Sequence, residues 1–125
     1  MAVRGLHHVQ VAAPEGSESE VRRFFGDVMG LTEIPKPAHL AVRGGVWFDC
    51  GAQQLHVGMD AEFHPAWKSH PAFLVSDLSA LRKRLFEAGA EVFDDLPLPG
   101  FRRFYARDPF GNRLEFVEPE NAPTR

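Results

Sequence analysis

The chain has 125 residues, 44% of them apolar and 25% charged, a composition typical of one globular domain rather than a disordered or fibrous protein. A net charge of −3 gives no electrostatic case for binding nucleic acid or an anionic membrane. The single cysteine, Cys50, excludes an intrachain disulfide and fits a reducing compartment. Because no apolar run suits a signal peptide or a membrane-spanning helix, we expect a cytoplasmic protein.

The first half of the chain predicts a strand, a helix and three further strands. LHHVQVAA alternates like a strand, and Ser17 or Ser19 can cap a helix through SEVRRFFGDVM that ends near Gly30. The apolar stripe of this helix consists of Val21, Phe24, Phe25 and Val28. Three strand-like runs follow, LTEIPK, GVWFDCG and QQLHVGM, and we expect a loop over PKPAHLAVRGG, which contains His39.

The second half predicts the same elements after a linker, DAEFHPAWKS. HPAFLV is typical of a strand, and SDLSALRKRLFEAG is typical of a capped helix that ends at Gly89. The apolar face of this helix consists of Leu78, Leu81, Leu85 and Ala88. AEVFDD, FRRFYARD and NRLEFVE predict the last three strands.

The order βαβββ, linker, βαβββ indicates an internal duplication. DCGAQQLHV and DPFGNRLEF align without a gap, which matches Asp49 with Asp108, and the same offset matches Gly30 with Gly89. We therefore expect an α+β fold in one domain, residues 1–125, with module one at about 4–60 and module two at about 69–119. The two tandem modules would form a cupped, half-barrel mixed sheet with the helices on its outer face.

Four strands carry an apolar face and, on the other face, one potential metal ligand. This follows from the alternation of side chains along a strand. The candidate ligands are His8, His56, His70 and Glu115. A lone strand histidine is more often a hydrogen-bonded structural residue, but four such residues at repeat-related positions favour a shared site. Imidazole and carboxylate suit one divalent metal ion, Zn²⁺, Ni²⁺, Fe²⁺ or Mn²⁺, and leave room for water or substrate.

Three stretches, HHVQVAA, HPAFLVSDL and FYARDPFGNRLEF, resemble the vicinal oxygen chelate (VOC) superfamily, and the resemblance covers about residues 4–119. That superfamily includes glyoxalase I, methylmalonyl-CoA epimerase, fosfomycin-resistance thiol transferases, extradiol dioxygenases and bleomycin-binding proteins. The resemblance implies a cupped sheet around one divalent metal, with ligands from the first and last strand of each module. In this chain those ligands are His8, His56, His70 and Glu115. It also implies a small-molecule substrate and a homodimer, sometimes with modules exchanged between chains.

Three functions remain open under this resemblance. A glyoxalase-like lyase or isomerase would act on vicinal oxygens through a metal-stabilised enediolate, with Glu115 or a metal-bound hydroxide as base. Glyoxalase I has Glu or Gln where this chain has His56, so His56 is either a fourth ligand or a base beside the metal. An Fe(II) extradiol dioxygenase would bind metal through His8, His70 and Glu115, with Tyr105 placed like its tyrosine. A bleomycin-resistance-like protein would instead bind a small molecule without metal.

Other side chains near these strands have two interpretations. Arg102, Arg103, Arg107 and Arg113 crowd the last two predicted strands. One or two of them can anchor a substrate carboxylate or phosphate, or all of them can form a solvated, charged sheet edge. Of Trp47 and Phe48, one should line the cleft and the other the core. His7 should point to the apolar face of its strand.

Overall fold

The computed structural model describes residues 2–121 and shows an α+β chain of two tandem modules. The chain divides into two compact units, Met1–Pro65 and Ala66–Arg125, and the division falls inside DAEFHPAWKS. Each unit contains its own open, four-stranded mixed sheet. The helices within residues 2–121 are too short or too polar to cross a lipid bilayer.

Unit one contains four strands and three helical segments. Its strands are β1 (His8–Pro14), β2 (Thr32–Ile34), β3 (Val46–Cys50) and β4 (Gln53–Asp60). The sheet order is β1-β4-β3-β2, with β1 parallel to β4 and the other neighbours antiparallel. A parallel pair needs a crossover connection, and here the helical segments and β2–β3 lie between its strands in sequence.

The predicted helix of unit one is confirmed, but its geometry and its cap differ from the expectation. Helix α1 (Glu18–Val21) continues as a π-helix over Arg22–Val28, in which the amide of Met29 donates to the carbonyl of Phe24 at 2.9 Å. The hydroxyl of Ser17 does not cap the helix, because it donates to the carbonyl of Pro14 at 2.6 Å.

The expected loop over PKPAHLAVRGG contains a one-turn helix, α2 (Ala38–Ala41), so the prediction of a loop at His39 is wrong. Pro37 precedes this turn with φ of −55°, and two alanines and a leucine favour helical backbone. A single turn is too short to produce the apolar periodicity by which helices are recognised in a sequence.

Unit two repeats the arrangement in a simpler form. Its elements are β5 (Ala72–Leu74), α3 (Leu78–Glu87), β6 (Val92–Phe93), β7 (Phe101–Arg107) and β8 (Arg113–Pro119). The sheet order is β5-β8-β7-β6, and β5 is parallel to β8. Asp77 caps α3 by accepting from the amide of Ala80 at 3.2 Å. Leu78 and Leu85 are buried as predicted, whereas Ala88 lies past the helix end and is exposed.

The two modules match closely at their helix ends and less closely at their last hairpins. Gly30 and Gly89 both follow a helix with positive φ, 86° and 89°. Cys50 pairs with Gln53 across a two-residue turn, whereas Asp108 bonds Asn112 across a three-residue turn. The gapless match of Asp49 with Asp108 is therefore wrong by one position, since one turn contains an additional residue.

Each sheet buries one face beneath its helix, as the alternation predicts. The core of unit one contains Phe25, Phe48, Leu55 and Val57, and that of unit two contains Leu85, Phe104, Leu114 and Phe116. Phe48 is fully buried, so its neighbour Trp47 lies on the opposite face. We call this opposite face of each sheet the ligand face, because it carries His56 in unit one and Glu115 in unit two.

Candidate functional site

The unit-one half of the predicted ligand set is a stack of three rings. Strand register places His56 of β4 opposite Trp47 of β3. The imidazole of His56 lies between the indole of Trp47 and the imidazole of His8, with ring centroids 4.0 Å and 4.1 Å away. The rings are nearly parallel, at 6° and 15°. The stack leaves only 5% of His56 exposed, whereas His8 remains exposed.

His56 is held as a neutral imidazole. Its Nε2 lies 2.9 Å from Oε1 of Gln54, an oxygen that only accepts, so Nε2 carries the hydrogen and Nδ1 carries the lone pair. Burial lowers the pKa of His56 to about 4, and positive charge on His8, His7 and Lys36 acts in the same direction. His56 therefore offers one lone pair at neutral pH, to a metal ion or to a proton.

The expectation for His7 is wrong. His7 is exposed, and its Nδ1 lies 2.9 Å from Nδ1 of His8. It precedes β1, so the alternation of that strand does not govern its side chain. One of the two nitrogens must carry a hydrogen for this contact to be a hydrogen bond.

The unit-two half of the ligand set is an ion pair. Glu115 of β8 is 6% exposed and lies opposite Tyr105 of β7 and Ala72 of β5. Nε2 of His70 lies 2.8 Å from Oε1 of Glu115. The other ring nitrogen of His70, Nδ1, lies 2.7 Å from the carbonyl oxygen of Lys68. Both partners only accept, so the His70 ring must carry a hydrogen on each nitrogen for both contacts to be hydrogen bonds.

A third side chain, Arg103, completes this ion pair. Nη1 of Arg103 donates to Oε2 of Glu115 at 3.1 Å, and the same guanidinium donates to the carbonyl of Leu96. Burial by itself would raise the pKa of Glu115, but the hydrogen bonds from His70 and Arg103 outweigh it and leave that pKa lowered. Glu115 is therefore ionised in a place that water hardly reaches.

The side chain of Tyr105 is buried against the ring of His70. It is 3% exposed, and its ring meets that of His70 edge-on with centroids 5.6 Å apart. The guanidinium of Arg113 lies 4.2 Å from the centroid of the Tyr105 ring, and Phe93 stacks on that ring. These contacts orient His70, and a catalytic role for Tyr105 stays a prediction.

The four arginines of the last two strands do not form a solvated edge. Side chains of Arg103 and Arg113 are only 17% and 20% exposed. Arg113 pairs with Asp95 at 3.1 Å, and Arg102 pairs with Glu118, also at 3.1 Å. Arg107 lies over the indole of Trp67, 4.2 Å from the ring centroid. Three of these arginines, all but Arg102, lie on the ligand face by strand alternation.

The structure thus brings His8 together with His56 and His70 together with Glu115. Each pair lies within one unit. Residues 2–121 contain no group of three or more His, Cys, Asp or Glu side chains that could hold a metal ion. The four predicted ligands are therefore present as two pairs, one in each unit.

Sequence reasoning missed Gln54 and left open the contacts of two further residues of these halves, Trp47 and Arg103. Trp47 stacks on His56, Gln54 fixes its tautomer, and Arg103 binds Glu115. Alternation placed Gln54 on the face of His56, and Arg103 on the face of Tyr105. The signal was therefore present, but sequence could not show which of several neighbours makes the contact.

Comparison with known proteins agrees with this fold. The model of the glyoxalase-like domain family matches residues 9–117. A solved glyoxalase family protein from Bacillus anthracis is 49% identical, with a TM-score of 0.89 over 94% of this chain and 97% of that chain. Lactoylglutathione lyase from Agrobacterium tumefaciens is 22% identical, with a TM-score of 0.71 over 94% and 96% of the two chains. FosX, a fosfomycin resistance protein from Listeria monocytogenes, is 15% identical, with a TM-score of 0.73 over 95% and 96%.

The two tandem modules, each with its parallel pair of outer and inner strands, and the match to the glyoxalase-like domain family place this protein in the VOC superfamily. Within it, the chain belongs to the glyoxalase-like domain family, whose model covers most of its length. Members of the superfamily commonly use a divalent metal ion. Among curated proteins, none matches this chain.

Proposed function

We propose that this protein is a divalent-metal-dependent enzyme that acts on a small molecule with vicinal oxygens, in a lyase or isomerase reaction of the glyoxalase type. The proposed ligands are His8, His56, His70 and Glu115, and the ion is Zn²⁺, Ni²⁺, Fe²⁺ or Mn²⁺. The observation that carries the proposal is the contact of His70 Nε2 with Glu115 Oε1 at 2.8 Å.

The chemistry of the donors fits a divalent cation. A metal-binding histidine usually donates its other ring hydrogen to a carbonyl or carboxylate, which fixes the tautomer, and Nδ1 of His70 faces the carbonyl of Lys68 in this way. His70 and Glu115, which share a hydrogen through Nε2 and Oε1, would hold a divalent cation once that hydrogen is lost. His56 is neutral and Glu115 is ionised, which are the protonation states that a metal requires.

A bound divalent metal would supply a Lewis acid that polarises the vicinal oxygens of the substrate. Side chains of this protein would orient the ligands and transfer protons. Arg103 holds Oε2 of Glu115 and keeps the carboxylate oriented. The lowered pKa of Glu115 favours a role as ligand, since a carboxylate so well stabilised is a weak base. Because the pKa of His56 is lowered as well, Nδ1 of His56 and Glu115 would each accept a substrate proton only after their contacts rearrange.

The test is metal content of wild type and of His8→Ala, His70→Ala and Glu115→Ala, purified without a histidine tag. We expect about one ion per chain in wild type and a loss of at least about tenfold in affinity in each variant. His64→Ala is the matched control, because His64 is exposed and lies in the linker. Wild-type protein that takes up none of the four metals would overturn the proposal and leave a metal-free binding protein.

His56→Gln separates the two roles that its single lone pair allows. If His56 is a ligand, the variant loses metal affinity together with activity. If it is a base, the variant retains metal and loses turnover alone. A variant with normal metal content and normal turnover would remove His56 from the site.

We also propose a homodimer in which each copy supplies one ligand pair to an ion. Each unit builds a complete pair through its own contacts, and two protein ligands are fewer than a catalytic metal site normally has. Mixing His8→Gln/His56→Gln protein with His70→Gln/Glu115→Gln protein tests this arrangement. The mixture should then recover about a quarter of the wild-type Co²⁺ absorption, because about half of the dimers are heterodimers and half of their sites are intact. Heterodimers that bind no Co²⁺ would contradict it.

A second candidate is an Fe(II) extradiol-type dioxygenase, in which His56 is a base and only His8, His70 and Glu115 bind metal. The observation that supports this arrangement is that Gln54 and Trp47 already hold the ring of His56 without a metal ion. Oxygen consumption by the Fe²⁺-loaded protein with a catechol tests it, and turnover without oxygen uptake would exclude it.

A further inference from the structure

The ligand face of unit two carries more positive charge than the carboxylates paired with it neutralise. Arg107 of β7 and Arg113 of β8 are cross-strand partners, and Arg113 is two residues from Glu115. Like charges directly opposite each other on a sheet destabilise it unless an anion lies nearby. Asp95 compensates Arg113 with an ion pair of 3.1 Å. Within residues 2–121 no carboxylate pairs with Arg107, whose Nη1 donates to the carbonyl of Gly111 at 3.3 Å.

The guanidinium of Arg107 is oriented but not enclosed. The indole of Trp67 covers it at 4.2 Å from the ring centroid, and Phe93 lies 5.4 Å away. Trp67 itself is 62% exposed. A guanidinium stacked on an aromatic ring presents its N–H edge outward, and this planar edge matches the two oxygens of a carboxylate. Nε of Arg113 is also buried without a hydrogen-bond partner among the described residues, so this region has a second unused donor.

A cavity of unit one does not offer a comparable group. It has a volume of about 500 Å³ and is lined by charged side chains of α1, its π-helical extension and the segment around β2. Arg22 pairs with Glu33 at 2.9 Å, Glu18 accepts from the amide of Gly45, and Lys36 donates to the carbonyl of Gly44. Its polar groups already have partners within the chain, so a ligand would have to displace them.

We infer that the substrate carries a carboxylate, separate from its chelating oxygens, that Arg107 binds with Trp67 stacked on the guanidinium. The inference deepens the proposed function and rests on it for the location of the chelating oxygens. Two residues along a strand span about 7 Å, so the carboxylate would lie about that far along the sheet from Glu115. One uncompensated guanidinium matches one negative charge, which favours a carboxylate over a phosphate dianion.

The test uses benzoate as the probe on chelator-treated protein, so that it does not depend on the metal. The indole N–H resonance of Trp67, assigned with Trp67→Phe, reports binding. We expect a saturable shift in wild type, and an affinity lower by at least about tenfold in Arg107→Gln. Arg107→Lys keeps the charge but not the planar edge, so its affinity should lie between the two.

The matched control is Arg43→Gln, which removes the same charge from an exposed arginine of unit one. Equal affinities of Arg107→Gln and Arg43→Gln would overturn the inference, as would the absence of a saturable shift in wild type. Saturation by inorganic phosphate but not by benzoate would overturn the choice of a carboxylate. If wild type binds benzoate through Arg107 yet takes up no metal, the metal proposal fails while this subsite stands.

Discussion

The proposed ligand pair of unit one is stacked on an aromatic side chain, whereas that of unit two is part of an ion pair, although both sheets have the same strand order. The residue opposite the last-strand ligand accounts for the difference. Trp47 faces His56 and stacks on it, which excludes water and keeps the imidazole neutral. Tyr105 faces Glu115, and beside it Arg103 reaches the carboxylate. Duplication thus preserved the positions of the proposed ligands, and their neighbours gave each half a different environment.

The largest effect should come from removing the anion of unit two. Glu115→Ala should lower the free energy of unfolding by about 2–4 kcal/mol, because Arg103 and His70 lose their charged partner in a mostly buried place. Glu115→Gln keeps the volume and one acceptor, so it should cost less. Urea denaturation of chelator-treated protein measures both. If Glu115→Ala unfolds at the urea concentration of wild type, the cluster does not stabilise unit two.

Unit one should respond to pH through His56. Its pKa is near the ordinary 6.5 in the unfolded chain and about 4 in the folded one. Between these values the unfolded chain binds a proton that the folded chain does not, so stability is full above about pH 6.5 and falls as pH decreases toward 4. The loss amounts to about 3 kcal/mol at most. His56→Phe keeps a stacked ring without titrating, and its stability should fall less over this range. If the stability of wild type and that of His56→Phe decreased equally with pH, the lowered pKa of His56 would not be the cause.

Substitutions at the two helix ends test whether these ends contribute equally to the free energy of unfolding. Gly30→Ala and Gly89→Ala each place a Cβ on a residue with positive φ, where the described residues other than its chain neighbours leave 4 Å of open space around it. Each should therefore cost about 1 kcal/mol from backbone strain alone. Thermal melting of both variants provides the comparison. A much larger loss in one of them would show that the two helix ends are not equivalent.

The helix starts should differ, with the smallest effects of the series. Asp77→Ala removes a true cap and should cost about 1 kcal/mol. Ser17→Ala should cost less, because the carbonyl of Pro14 also accepts from the amide of Ser17 at 3.2 Å. Urea denaturation of the two variants measures the difference between their free energies of unfolding. Equal losses would mean that the hydroxyl of Ser17 stabilises unit one in another way.

Local patterns were sufficient to predict most of the fold. Alternation in QQLHVGM and NRLEFVE predicted β4 and β8 and the buried faces of both, because a strand has only two faces and one of them is apolar. The one-turn helix α2 and the π-helical turn escaped prediction. Neither has a periodicity of its own, and the π-helical turn buries Phe24 and Phe25 in the core.

The sequence by itself determined that this is a two-module α+β protein and that His56 and Glu115 lie opposite the cores, whereas His70, predicted to open a strand, precedes β5. These properties follow from hydrophobic periodicity and repetition, which are local. The tertiary structure alone decided that Trp47 encloses His56, that Arg103 binds Glu115, and that Arg107 pairs with no carboxylate among residues 2–121. Such contacts join residues distant in sequence, and their formation depends on strand register and side-chain length, which periodicity does not encode.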